Sequence, residues 1–270
     1  MLVLIEQTNH CGLQCVACPN RLNQRSKGVM TATNFKRIVD QIVHLKSERV
    51  ALHGFGDVFL NPDFFENLVY LESKGFRKVD FSTNGLLLTE EEIKELCKFK
   101  CLNFISVSLN SSIKEQMEKI NTGSSFEQVV HNTKMLLAAK PMFNVHIQHM
   151  IYEATKSENQ DDFIRVLGSD NFIYCQKKLH NYYGQVKDGL AFYQQIDCNM
   201  SFAALPMMHW DGDLVGCCGD DTKLQIYGNA LKDGIFSEAV MRKRDVFAEA
   251  LWNNAYSTLP LCRGCVNGQT

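Results

Sequence analysis

Cys11, Cys15 and Cys18 stand three and then two residues apart near the N-terminus, just after the apolar run Leu2–Ile5. Thiolates at this spacing reach three corners of a cubane 4Fe-4S cluster and leave its fourth iron without a protein ligand. An open iron can chelate a small molecule, and the cluster's low potential makes it an electron donor to whatever binds there. A structural zinc site is the plainer use of clustered cysteines. It takes four ligands, usually from paired C-x2-C units, and no such pair follows nearby.

A second set, Cys198, Cys217, Cys262 and Cys265, falls in the last third of the chain. Four thiolates can fully ligate a second 4Fe-4S cluster or hold a zinc ion, and ligand count alone does not choose between them. Of the eleven cysteines, Cys97, Cys101, Cys175 and Cys218 remain. Free cysteine is often a small buried apolar residue. Cys175, near the end of a strand, and Cys218, beside the second set, are the two placed to reach an interior cavity.

So many cysteines read as metal ligands in a reducing compartment. The start of the chain lacks the basic region and long apolar stretch of a signal peptide, and no apolar run could span a bilayer, so the expected location is the cytoplasm with no membrane partner. A net charge of −2 without a basic stripe excludes an electrostatic nucleic-acid binder.

Elements must carry these cysteines to a common site. At 270 residues the chain can hold one barrel-sized domain with a small appendage. A helix beginning at Thr31 carries Ile38, Ile42 and Leu45 at helical spacing. Short apolar strands are expected at Leu2–Ile5, Arg49–His53, Lys78–Ser82, Asn103–Leu109, Phe143–Met150 and Asn171–Gln176, with helices between them. Six strands alternating with helices predict an α/β fold with parallel strands and right-handed crossovers, a partial (β/α)6 TIM-like barrel over 1–180. Its site is expected at the C-terminal strand ends, by analogy with closed barrels.

Residue parity points to a lined cavity. Ser106, Ser108 and Asn110 share one face of the fourth strand, opposite Ile105, Val107 and Leu109. Asp80, Ser82 and Asn84 oppose Val79 and Phe81 in the third, and His146 and Gln148 turn inward in the fifth. Parallel strands covered on both faces would read as continuous apolar runs. Beyond residue 180 a hairpin about Asp211-Gly212 and a helix from about Gly234 to Leu251 predict a small Cys-rich extension over 181–270.

The C-x3-C-x2-C loop, in this position, resembles that of the radical S-adenosylmethionine (SAM) enzymes, whose open iron binds SAM and whose cluster cleaves it to a 5'-deoxyadenosyl radical. Gly54-Phe55-Gly56-Asp57 stands where that family holds the SAM amino group, and Ser82-Thr83-Asn84-Gly85 is similar to its T-N-G segment. Ser108 and Asn110 resemble polar positions near the SAM ribose and carboxylate. The resemblance implies SAM contacts at Gly54, Gly56, Asp57, Ser82, Asn84, Ser108 and Asn110. Ala17 replaces a frequent aromatic, Asp57 a glutamate, and no arginine stands near Asn121; Lys119 is a substitute for its carboxylate contact.

Gly212-x4-Cys217-Cys218-Gly219-Asp220, Tyr227-Gly228-Asn229 and the final C-x2-C resemble the auxiliary-cluster extension called SPASM, in its short twitch form. That implies a second 4Fe-4S cluster on Cys198, Cys217, Cys262 and Cys265, with spacing similar to a radical SAM aminocyclitol dehydrogenase of butirosin antibiotic biosynthesis. The implied reaction oxidises a carbinol of a small polar substrate, an aminocyclitol or sugar. The auxiliary cluster takes the second electron, Lys178 or His180 takes the proton, and a flavodoxin or ferredoxin serves as reductant. The alternatives are an epimerase with Cys175 or Cys218 as hydrogen donor, a peptide maturase, and a non-catalytic iron–sulfur or zinc module.

Overall fold

The computed structural model describes residues 2–22, 24–178, 182, 185–186 and 206–265. Strands β1 (Leu2–Leu4), β2 (Arg49–Leu52), β3 (Val79–Thr83), β4 (Leu102–Asn110), β5 (Asn144–Ile151) and β6 (Ile173–Lys178) form one sheet in sequence order. Every neighbouring pair is parallel. The connections are helical: α1 (Ala32–Ile42), α2 (Phe64–Ser73), α3 (Glu90–Leu96), α4 (Lys114–Ile120) with α5 (Phe126–Ala138), and α6 (Gln160–Leu167). This is a mixed α/β fold with the architecture of a partial TIM-like barrel, as the alternating pattern predicts.

The helix periodicity is read out directly as burial. In α1, Phe35, Ile38, Val39 and Ile42 are fully buried, the spacing of one helical face. Its Thr31 side chain accepts from the Asn34 amide, capping the first turn. α6 begins with a capping box from Asn159 and Asp162 and ends at Gly168, whose φ of 66° is the left-handed conformation a helix C-terminus favours.

Strand parity sorts the side chains as predicted. Ile105, Val107 and Leu109 join the core beneath the helices, whereas Ser108 and Asn110 line an interior cavity. His149 packs on the opposite face from Gln148. Fully buried, it is held by Tyr174 Oη at 2.5 Å and the Thr155 carbonyl at 3.1 Å, a satisfied core imidazole.

The extension is a three-stranded antiparallel sheet, β7 (Met207–Met208), β8 (Asp213–Val215) and β9 (Ile226–Asn229), followed by α7 (Glu238–Trp252). The helix starts four residues later than expected because Gly234, at φ 81°, still belongs to the turn before it. The sheet sits beside β1: Ile5 and Met208 form a parallel bridge, and the Glu6 amide donates to the Met208 carbonyl at 2.8 Å. Met208, Leu214, Tyr227 and Phe247 belong to the same apolar core as Val3, Ile5 and the barrel strands.

Candidate active site

The Cys11–Cys18 loop is clamped by backbone on both sides. Gln14 donates to the Thr122 carbonyl just after α4 at 2.9 Å and Val16 to that of Ile120, the last residue of α4, at 3.0 Å, and the Asp57 amide donates to the His10 carbonyl at 2.9 Å. Gly54 and Gly56 make that second contact possible. A Cβ on Gly54 would collide with the Glu6 side chain, and one on Gly56 with the carbonyls of Thr8 and His10. The glycine motif therefore seats the cysteine loop as well as forming the cavity wall.

All three thiols open into one cavity of about 480 Å³. The wall includes every residue the sequence resemblance assigned to SAM: Gly54, Gly56, Asp57, Ser82, Asn84, Ser108 and Asn110. Burial, joined by mutual repulsion among the three, pushes the Cys15 thiol up to about 12 and Cys18 to about 11. Such thiols stay protonated near neutral pH unless a cation draws off the proton, as metal ligation does.

Asp57 organises the wall. Its Oδ2 accepts from Thr83 Oγ1 and the Asn84 amide, both at 2.8 Å, and its Oδ1 from the Phe59 amide at 3.2 Å. Burial pushes its carboxyl pKa up, and these donors work against that shift. Asn84 in turn holds the Leu86 amide at 2.9 Å and turns its Nδ2 toward Cys11 Sγ at 4.0 Å. Deeper in the barrel, Gln148 Nε2 bridges Ser106 Oγ at 2.6 Å and Ser82 Oγ at 3.3 Å.

Asn110 fits the residues to a ligand. It adopts φ 65°, a conformation Asn tolerates better than most side chains. Its Nδ2 donates to Asn121 Oδ1 at 2.8 Å, which leaves its buried Oδ1 without a donor among the described residues. A buried acceptor kept unpaired at a cavity wall suits a hydroxyl or amino donor of a bound molecule. The thiol set and this acceptor fit an open-iron cluster with SAM chelated to it. Lys119, the substitute contact for the SAM carboxylate, is exposed on α4 and lies off the wall.

Of the two residues expected to take a proton, Lys178 is not among those lining the cavity, whereas its neighbour Lys177 is. β6 runs two residues beyond its predicted end, and alternation along it puts Lys177 on the cavity wall and Lys178 on the other face. Lys177 is open to the cavity yet ringed by protein, and desolvation lowers its ammonium pKa. His180 and Cys198 lie outside the described residues. Cys175 is not among the cavity-lining residues; its Sγ lies 3.6 Å from His146 Nδ1, and burial raises its pKa. Cys218 lines the cavity. Its pKa is lowered by a hydrogen bond with Cys217 and by Lys177, against the effect of burial.

A further network was invisible to motif reading. Arg25 makes a two-armed ion pair with Glu6, at 2.8 and 3.0 Å, and reaches Asp221 of the extension at 3.1 Å. The Arg25 side chain is 5% exposed, Glu6 0% and Asp221 2%. Glu6 also accepts from the amides of Phe55 and Trp210, at 3.1 and 3.2 Å. One carboxylate thus ties the end of β1, the glycine motif and the extension together.

Among the C-terminal thiols, Cys217 and Cys262 both lie within electrostatic reach of Tyr227, and the Cys265 amide closes a turn onto the Cys262 carbonyl at 3.0 Å. Among the described residues no group of three or more His, Cys, Asp or Glu side chains is arranged as ligands to a single metal ion. No helix among them is long and apolar enough to cross a membrane.

A partial parallel barrel whose cavity is lined by three thiols together with Asp57, Ser82, Asn84, Ser108 and Asn110 suits the class of enzymes that couple an iron–sulfur cluster to a bound cofactor. The chain belongs to the Radical SAM superfamily, whose family model matches residues 5–162, more than half of its length. Membership implies a 4Fe-4S cluster and SAM, with a substrate and a reductant. The chain is 28% identical over 172 residues to the antilisterial bacteriocin subtilosin biosynthesis protein AlbA of Bacillus subtilis, covering 63% of this chain and 38% of AlbA. It spans about two fifths of the length of such curated relatives.

Two solved structures share the fold. BtrN in complex with AdoMet and 2-DOIA has a TM-score of 0.68 at 18% identity, covering 98% of this chain and 92% of BtrN. Streptococcus suis SuiB bound to precursor peptide SuiA has a TM-score of 0.67 at 13% identity, covering 90% and 66%.

Proposed function

We propose that this protein is a radical SAM dehydrogenase that oxidises a carbinol carbon of a small polar molecule, an aminocyclitol or sugar, to a ketone. The observation that carries the reading is that Lys177 and Cys218 share one cavity with Cys11, Cys15 and Cys18. A basic group and the neighbour of the C-terminal thiol set thereby meet the N-terminal cluster site at one place.

Cys11, Cys15 and Cys18 hold the first cluster, with Asn110 and the Gly54–Asp57 loop seating SAM; Cys198, Cys217, Cys262 and Cys265 hold a second. When bound, these groups supply hydrogen-atom abstraction and a one-electron sink. Lys177 Nζ takes the hydroxyl proton, a role its lowered pKa favours because more of it is neutral near pH 7. In sum the carbinol loses one hydrogen atom, one proton and one electron. The reductant is a flavodoxin or ferredoxin.

Cys218, open to the same cavity, supports a second reading, an epimerase in which this thiol returns a hydrogen atom to the opposite face of the carbon. A peptide substrate is the third, supported by the fold shared with peptide-bound SuiB. Anaerobic incubation of the reconstituted protein with SAM, dithionite and a panel of cyclitols, sugars and peptides in D2O separates them by mass spectrometry. Loss of two hydrogens supports the dehydrogenase. Unchanged connectivity with one solvent deuterium on carbon, or a modified peptide, overturns it.

A further inference from the structure

Arg49, which opens β2, and His53, just past its end, converge on one carboxylate of β3. Ala51, midway between them, pairs in register with Asp80. Asp80 Oδ2 accepts from Arg49 Nε at 2.5 Å, and its Oδ1 accepts from Arg49 Nη2 at 2.9 Å and lies 3.0 Å from His53 Nε2. The guanidinium is held by its face as well, 4.8 Å from the ring centroid of Phe104, which in turn stacks on His146 at 4.1 Å. These contacts fix Arg49 yet leave its Nη1 without a partner among the described residues. Asp80 is fully buried and does not line the cavity, whereas the side chains of Arg49, 41% exposed, and His53, 26% exposed, do.

The rest of the wall does not offset this charge. Among the described residues Asp57 is the only acidic side chain lining the cavity, and both its oxygens are occupied, by the Phe59 amide on one side and by the Thr83 hydroxyl and Asn84 amide on the other. Lys177 adds a second basic side chain, with no carboxylate at ion-pair distance among the described residues. A cleft lined by one sign of charge concentrates ligands of the other, and a guanidinium braced from behind by a carboxylate offers its remaining edge as a fixed donor. An ammonium group would find no free carboxylate on this wall. We propose that Arg49 anchors an anionic group of the substrate, a carboxylate or a phosphate. The proposal rests on the reading above of a small polar carbinol substrate and narrows it to an acidic one, a sugar acid or sugar phosphate in place of an aminocyclitol. Arg49 is then a specificity-determining residue, with Asp80 and Phe104 holding it in position.

The test is binding of one sugar ring in four charge states to the full chain, anaerobically reconstituted, loaded with SAM and left unreduced. Glucose, glucosamine, glucuronate and glucose 6-phosphate are titrated by calorimetry. The expected result is that glucuronate or glucose 6-phosphate binds about ten- to hundredfold more tightly than glucose, as one charge-assisted hydrogen bond provides, with glucosamine weakest; which of the two acids leads identifies the group as carboxylate or phosphate. Arg49→Gln combined with Asp80→Asn, which avoids stranding the buried carboxylate, should erase the preference. No preference for either acid over glucose, or a preference for glucosamine, overturns the proposal, and this comparison among ligands requires no substitution. A preference that survives in the double variant overturns the role of Arg49. Because no reductant is present, binding is read independently of the reaction. A deuterium-labelled epimer or a modified peptide in the turnover experiment above would overturn the dehydrogenase reading without changing these affinities.

Discussion

Asp57 Oδ2 accepts the Asn84 amide at 2.8 Å, and this single bond joins the loop after β2 to the loop after β3 at the cavity mouth. The same oxygen also takes the Thr83 hydroxyl at 2.8 Å. Asp57→Ala leaves both donors unpaired in a buried setting, at about 1–3 kcal/mol for each unsatisfied group. We expect lower stability in urea unfolding together with weaker SAM binding by equilibrium dialysis, because both loops line the cavity. Unchanged SAM affinity would show that Asp57 serves the fold alone.

Arg25 is the second joint. Removing it strands the fully buried Glu6 carboxylate, and breaking a buried pair from one side costs about 3–5 kcal/mol. Arg25→Met should therefore unfold at clearly lower urea concentration than the parent. Adding Glu6→Gln should recover part of the loss, because the stranded charge is gone while an acceptor for the Phe55 or Trp210 amide remains. Additive losses in the double-mutant cycle would mean the two side chains are not energetically coupled.

On the proposed two-cluster reading, the N-terminal and C-terminal thiol sets are separable by function. Cys11→Ala, Cys15→Ala and Cys18→Ala together should drop iron from about eight to about four per chain and abolish SAM cleavage. Cys217→Ala should also lose about four irons but continue to form 5'-deoxyadenosine, while failing to form ketone. Ketone production by Cys217→Ala would remove the electron-accepting role from the C-terminal set.

Much of this was legible in the sequence because the relevant signals are local. Helical spacing in α1 and two-residue parity in β4 each depend on neighbours along the chain, so the buried faces and the polar wall followed directly. The placement of Lys177, rather than Lys178, on the cavity wall shows where locality ends. Which lysine faces inward depends on β6 continuing two residues beyond the last apolar position, and pairing of Met150 with Lys177 and Ile151 with Lys178 decides that. The Glu6–Arg25–Asp221 network was beyond reach for the same reason, since Arg25 and Asp221 stand 196 residues apart. Asn110 was found by motif position, but its free Oδ1 emerges only once Asn121 occupies its amide.

His209, between β7 and β8, gives the fold an acid limit. It is fully buried with neither ring nitrogen hydrogen-bonded among the described residues. Burial, with the nearby Arg25 and Lys223 opposing protonation and Asp211 and Asp213 favouring it, brings its pKa from 6.5 down to about 3. The unfolded chain binds a proton on this residue below pH about 6.5, whereas the folded chain does so only near 3. Stability from His209 is thus complete above the higher value and declines as pH falls, by about 1.4 kcal/mol per pH unit. His209→Leu removes the titrating group from an apolar setting beside Phe55. Urea unfolding at pH 7.5 and 5.5 should show a smaller acid-induced loss in the variant, by about 1 kcal/mol. Equal losses in the two proteins would mean that His209 finds a partner or a proton in the folded state.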